Sequence, residues 1–369
     1  MANDTRPQKG RTRKIPAVQD AVWNAFNAIR KKYNLTWNEV FRRFSIYENG
    51  IEYIFSAPPE MTKERRLDLN TVMGLIDLWI GNIRENWSVI HSSPTIQEIS
   101  GTYKDLPAII IGAGPTVRDR GHLQTLKEYN FPGPIVATAH ALKWCLEAGV
   151  VPTHTLIVDA NEEKILAFID DPLVDSYADR IKMIMCVSVH PTVVNRWAGP
   201  KCFFFSGVPQ DLVPNVDKLI SSFIPNIPGI DTGGNAGSAG ISLALGMGCN
   251  PLCTIGLDFA YPKDFPYSQT QYYEAWMQSV GEGKAYPTEE DMIKKIYHPY
   301  KHPVFKTECY TDFVYEVFAK STVEMVKHYA TVYNRTIINA TEGGAFYSSH
   351  LKCMKFRTFL DRYATRRQG

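Results

Sequence analysis

"IIIGAGPTV", residues 109–117, runs three β-branched residues straight into a glycine-rich bend closed by proline and threonine. A continuous apolar run with no polar alternation fits a strand buried on both faces, as in a parallel sheet covered by helices. The glycines at 112 and 114 allow a tight turn that presents main-chain N–H groups, and Pro115 stands where a helix would begin. Such a bend suits an anionic oxygen, which makes Gly112, Ala113, Gly114, Pro115 and Thr116 a candidate phosphate loop. A tight strand-to-helix turn without a ligand is the competing reading. The spacing lacks the third glycine of the dinucleotide fingerprint and the Gly-Lys-Ser/Thr of a Walker A loop.

Outward from this stretch the same texture repeats: "AIIIG", "PIVATA", "HTLIVDA", "KMIMCVSV", "CFFFSG", "LCTIGLDF" and "RTIINA" alternate with helical patterns such as "HALKWCLEA" and "AGISLALGMG". Buried strands alternating with helices predict an α/β, Rossmann-like domain over residues 101–348, with a mostly parallel sheet flanked by helices. Residues 349–369 read as a C-terminal helix and tail. Residues 15–100, with apolar side chains at helical spacing in "PAVQDAVWNAFNAIRKKY", "LTWNEVFRRF" and "LNTVMGLIDLWIGNIRENW", read as an N-terminal helical subdomain. Before it, residues 1–14 are basic and are expected to be a disordered tail. Residues 262–303, rich in Tyr, Pro and charge, form an insertion directly after a strand, either a lid or acceptor-binding element or a plain surface excursion.

Composition sets the outer limits. With 369 residues, 44% hydrophobic, 21% charged and a net charge of +2, the chain is expected to be soluble and globular, with no global pull toward nucleic acid. No apolar run approaches a membrane span, and no apolar leader opens the chain, so a cytoplasmic location is expected. Seven scattered cysteines are expected to stay reduced; Cys249 and Cys253 lack the partners of a zinc site, and no metal is expected.

In open α/β sheets, ligands lie beyond the carboxyl ends of the strands, so the residues just after each strand carry the functional signal. His140 and Asp159 follow two of them. Gly234, Asn235 and Ser238 lie in "DTGGNAGSAG", whose small residues let a helix start approach a nucleotide; close helix–sheet packing is the alternative. Asp258 ends "TIGLDF", with Tyr261 and Tyr267 following, and phenol hydroxyls can steady a departing phosphate oxygen. His302, in "YHPYKHPVFKT", is a candidate general base. Asn339, Thr341 and Glu342, in "INATEGGAF", are placed to hydrogen-bond a sugar or base, with a simple turn as the alternative.

Taken in order over residues 105–348, "IIIGAGPTV", "IVATAHALKWCLEAGVVPTHTLIVDAN", "GGNAGSAGISLALGMGCNPLCTIGLDFAY", "FKTECYTDFVYEVFAK" and "IINATEGGAF" resemble the central domain of the motility-associated-factor flagellin glycosyltransferases. The same superfamily includes the 6-hydroxymethylpterin diphosphokinase-like proteins. Gly112–Thr116 and Gly256–Phe259 are also similar to blocks of bacterial sialyltransferases that use CMP-activated sugars, although Ala113 replaces their usual Asn and Ala260 displaces the following tyrosine by one position. The resemblance implies transfer of a nonulosonic (sialic-acid-like) sugar from a CMP donor to a hydroxyl of a protein or glycan, for instance Ser or Thr of flagellin, with no metal cofactor. It implies that Gly112, Gly114 and Thr116 cradle the CMP phosphate, Tyr261 or Tyr267 stabilises it as it leaves, and His302 is the base. The diphosphokinase branch implies ATP and Mg²⁺ instead, with Asp159 in "VDANEE" as the carboxylate available to the ion. A non-catalytic nucleotide- or sugar-binding protein is the remaining reading.

Overall fold

The computed structural model describes residues 43–48, 51–56 and 63–367, apart from 208–223, 225, 271–272, 274–276 and 278–295. Two compact units are distinguished, residues 1–71 with 208–219 and residues 72–207 with 220–369. In the first, β1 (Arg43–Glu48) and β2 (Ile51–Ser56) form an antiparallel hairpin, with Phe44 opposite Phe55 and Ile46 opposite Tyr53. This corrects the helical expectation for 43–56. Asn49-Gly50 between two short apolar runs is a hairpin signal that the helical spacing of neighbouring residues masked. The basic tail and residues 15–42 lie outside the described residues.

Helix α1 (Lys63–Glu85) leads into the second unit, as its apolar spacing predicts. The chain then supplies β3 (Ala108–Ile111), β4 (Ile135–Thr138), β5 (His154–Ile157), β6 (Lys182–Cys186), β7 (Lys201–Ser206), β8 (Gly229–Ile230), β9 (Leu252–Ile255), β10 (Tyr261–Pro262), β11 (His298–Lys301), β12 (Glu308–Thr311), β13 (Ile337–Asn339) and β14 (Lys352–Cys353). Helices α2 (Thr116–Asp119) and α3 (His122–Lys127) follow β3, α4 (Ala139–Glu147) follows β4, α5 (Glu162–Ile169) follows β5, and α6 (Pro191–Arg196) follows β6. Then α7 (Ala236–Gly246) precedes β9, α8 (Phe313–Val332) precedes β13, and α9 (Phe356–Tyr363) follows β14.

Nine of the described strands form one sheet, all of its pairs parallel, in the order β14-β13-β9-β3-β4-β5-β6-β7-β8. The chain walks outward from β3 to β8, then returns through α7 to place β9 on the other flank of β3. That reversal makes the gap between β3 and β9 the switch point of the sheet. Ile109, Ile110 and Ile111 are each 0% exposed, which explains their unbroken apolar run: both faces of β3 are covered. Burying each such side chain stabilises the fold by roughly 1.5–3 kcal/mol. Helix α7 lies against β3, β4 and β9 so closely that a Cβ at Gly240 would stand 2.8 Å from Ile110 Cγ2.

The ends of the segment 262–303 join a three-stranded antiparallel sheet, ordered β10-β12-β11, while most of its interior lies outside the described residues. In the last turn of α1 and just beyond it, buried Asn82 and Asn86 tie this segment to the carboxyl edge of the large sheet. Asn82 Nδ2 donates to the Ser188 carbonyl at 2.8 Å and Asn86 Nδ2 to the Val189 carbonyl at 2.8 Å. All seven cysteines carry free thiols, six of them buried. Among the described residues, no helix is long and apolar enough to cross a membrane.

Candidate functional site

At the switch point the loop leaving β3 and the loop leaving β9 run against each other. Gly112 N–H donates to the Ile255 carbonyl at 2.9 Å and Gly114 N–H to the Gly256 carbonyl at 2.8 Å. A Cβ on Gly112 would lie 2.3 Å from Gly256 O, and one on Gly114 would lie 2.3 Å from Asp258 Oδ1. The bare backbone therefore serves loop-on-loop contact. Asp258 is 4% exposed, and its carboxylate accepts the Thr116 N–H at 3.0 Å and the Thr116 hydroxyl at 2.6 Å. A carboxylate on the first amides of a helix satisfies groups that lack an intrahelical acceptor. The amides of Gly112, Gly114 and Thr116, the expected phosphate cradle, are thus occupied within the protein. Burial pushes the Asp258 carboxyl up to about 7, against the Thr116 hydrogen bonds, with Asp119 adding to the rise and Arg120 opposing it.

A third loop closes on the same residue. The Asp258 carbonyl accepts the Ala345 N–H at 2.7 Å. Within that loop, Asn339 Nδ2 donates to the Phe346 carbonyl at 2.6 Å, and Asn339 Oδ1 accepts the Thr341 N–H at 2.9 Å. His302 is 0% exposed. Its Nδ1 accepts the N–H groups of Val304 and Phe305, both at 3.1 Å, which leaves the proton on Nε2, 3.3 Å from the Phe346 carbonyl. Burial lowers its proton affinity, and the Phe346 carbonyl opposes that. In this arrangement both ring nitrogens of His302, the expected base, are committed to the β11–β12 turn and the 339–346 loop. Asn339 and Thr341, the residues expected to hydrogen-bond a sugar or base, are also 0% exposed. Glu342 takes the left-handed conformation, φ +58°. Its carboxylate accepts the Phe356 N–H at the start of α9 at 2.9 Å and stands 3.6 Å from buried His122 Nε2, so it too has an internal task.

Tyr261 and Tyr267 lie together. With Tyr297 they form a buried aromatic cluster, the Tyr261 and Tyr297 rings 5.4 Å apart and edge to face. A pocket of about 70 Å³ opens there, lined by Tyr261, Lys263, Phe265, Tyr267, Tyr297 and Tyr310. Burial first, then Tyr315, pushes the Tyr261 phenol well above the ordinary tyrosine range, so it stays a neutral donor.

The remaining candidates are spread along the carboxyl edge. Asn235 caps α7: its Oδ1 accepts the Ser238 N–H at 2.9 Å and its Nδ2 donates to Ser238 Oγ at 2.8 Å. Ser238 Oγ meets Thr322 Oγ1 of α8 at 2.5 Å. Gly234 supplies the left-handed turn before the cap, φ +82°. These three shape a helix start, which adjoins the switch point through Gly237 against Leu257. Asp159 is exposed and closes a local turn onto the Asn161 N–H at 2.9 Å. His140 lies on α4 with one face stacked on Phe168, centroids 4.2 Å apart, and its outer edge exposed. Trp144, one turn further along α4, carries the Arg118 guanidinium over its ring at 4.4 Å. Arg118 and Trp144 escaped the sequence reading, although the four-residue spacing of His140 and Trp144 placed both on one helix face.

Residues 81–264, which contain both glycine stretches and end just past Tyr261, match the model of the family described as 6-hydroxymethylpterin diphosphokinase MptE-like. No curated protein matches the sequence. Among solved structures, the MAf glycosyltransferase from Magnetospirillum magneticum AMB-1 matches with a TM-score of 0.50 and 14% identity over 70% of this chain. The match takes in 35% of that protein, so the chain aligns with about a third of its length. At that identity the likeness is one of fold. The likenesses are thus to the MptE-like family over residues 81–264 and, in fold, to a Maf glycosyltransferase.

Proposed function

We propose that the chain is a glycosyltransferase moving a nonulosonic-acid-type sugar from a CMP-activated donor to a hydroxyl of a protein or glycan. The observation that carries this reading is the tyrosine-lined pocket that begins three residues beyond Asp258, beside the switch point where ligands of such sheets lie. The likeness in fold to a Maf glycosyltransferase supports it. In the reaction, the bond from the anomeric carbon to the phosphate oxygen breaks and CMP departs with the electron pair. The acceptor oxygen bonds to that carbon and gives up its proton to solvent water. Tyr261, a neutral phenol, and Tyr267 donate hydrogen bonds toward the departing phosphate oxygen, where charge develops. Incubation with CMP-activated sialic, pseudaminic or legionaminic acid tests this: CMP release supports it, and binding of ATP and a pterin with no affinity for CMP overturns it.

The family description favours one rival, an ATP-dependent 6-hydroxymethyldihydropterin diphosphokinase. That chemistry needs Mg²⁺ to neutralise the transferred phosphates. Asp159, exposed at the end of β5, is the carboxylate placed to serve it, and Asp159→Ala would then abolish a Mg²⁺-dependent turnover.

A further inference from the structure

Several helices begin at the carboxyl edge of the sheet, and most have their first amides taken by a side chain: Asp258 for α2, Asn161 for α5, His190 for α6 and Asn235 for α7. Helix α4, nine residues long, differs in that its N-cap Thr138 makes no capping bond. The Thr138 hydroxyl is buried, the residue 8% exposed, and the oxygen has no hydrogen-bond partner. By helix geometry the amides of Ala139, His140 and Ala141 lack intrahelical acceptors. Ile111 pairs with Ala137, so Gly112 and Thr138 leave adjacent strands side by side next to the switch point. The exposed Arg118 guanidinium reaches across to the same helix and lies on Trp144. Among the described residues no carboxylate stands within 4.0 Å of it. Its charge also reaches His140, whose proton affinity is lowered by burial first and by Arg118 second.

We propose that the start of α4, rather than the glycine loop before it, seats the phosphate of the nucleotide, with Thr138 and the amides of residues 139–141 as donors and Arg118 as countercharge. This rests on the nucleotide-donor reading above. The ligand class is a phosphate ester: the oxygens replace the missing cap, the helix dipole favours the anion, and the stacked guanidinium is preorganised for it.

The test measures binding of CMP, cytidine and inorganic pyrophosphate to the full chain by calorimetry, in the native sequence and in Arg118→Gln, Arg118→Lys and Thr138→Val, each checked for an unchanged melting temperature. Arg118→Gln weakens CMP and pyrophosphate at least tenfold and leaves cytidine unchanged, Arg118→Lys recovers part of the loss, and Thr138→Val weakens both phosphate compounds several-fold. Equal CMP affinity in the native chain, Arg118→Gln and Thr138→Val overturns the inference and leaves the donor reading standing. Failure of the native chain to bind either phosphate compound overturns it as well. If pyrophosphate binds in an Arg118-dependent way and CMP does not bind, the site stands and the CMP-donor reading falls.

Discussion

Replacing Asp258 with asparagine isolates the electrostatics of the switch point. The carboxyl is fully buried against Thr116, and its affinity for a proton rises from the ordinary 3.8 to about 7 in the fold. Below 3.8 both folded and unfolded states hold the proton, so the group adds no pH dependence there. Between 4 and 7 the folded state keeps a proton that the unfolded state releases, so stability falls as pH rises, and above 7 the loss is constant. At ~1.4 kcal/mol per unit, the whole window amounts to roughly 4 kcal/mol. Asparagine has nearly the same shape, keeps an oxygen for the Thr116 amide and does not titrate. Urea unfolding of both proteins at pH 4.5, 6.0 and 7.5 cancels every other titrating group in the difference. Asp258→Asn should gain on the native protein by several kcal/mol between the first and last pH. A difference that stays flat, or that grows in favour of the native protein as pH rises, refutes the reasoning.

Other substitutions follow from the same geometry. Gly114→Ala drives a Cβ to within 2.3 Å of Asp258 Oδ1 and should cost about 2–3 kcal/mol of stability, read as a fall in melting temperature. Asn235→Ala removes the cap of α7 and should cost about 1 kcal/mol in urea unfolding. His302→Phe strands the Val304 and Phe305 amides, while the Phe346 carbonyl keeps Asn339 Nδ2 as a donor, so it should destabilise by roughly 1–3 kcal/mol for each amide left unpaired. Turnover per folded molecule should persist in that variant; a fall of about 10²-fold or more with stability intact would return His302 to the role of base. Tyr261→Phe should lower kcat about tenfold with a smaller change in KM, because its hydroxyl is proposed to act on the departing group.

The sheet was legible because each of its longer strands is an unbroken apolar run, and such a run is what burial on both faces requires. Gly112 and Gly114 were legible as positions where something comes close. What comes close is another part of the chain, Gly256 for Gly112 and Asp258 for Gly114, each 144 residues further on, and no local pattern reports that distance. The same holds for His302: "KHPVFKT" shows a titratable ring near a turn, but its burial depends on Phe346 folding over it from a separate loop. Asn235 and Ser238 illustrate a shared vocabulary, since the small polar residues that open a helix toward a phosphate are also those that cap it. The hairpin at 43–56 shows the reverse error, where a strong local signal, Asn49-Gly50, was overridden by helical spacing around it.

The most direct test of the central claim is a time course of nucleotide release by the purified full chain offered CMP-activated nonulosonic acids with a protein or glycan acceptor, beside UDP-sugars and ATP with 6-hydroxymethyldihydropterin. The account predicts CMP release that rises with acceptor and is reduced in Tyr261→Phe and Arg118→Gln. Release of AMP from ATP with the pterin, with every CMP-sugar left intact, would contradict it.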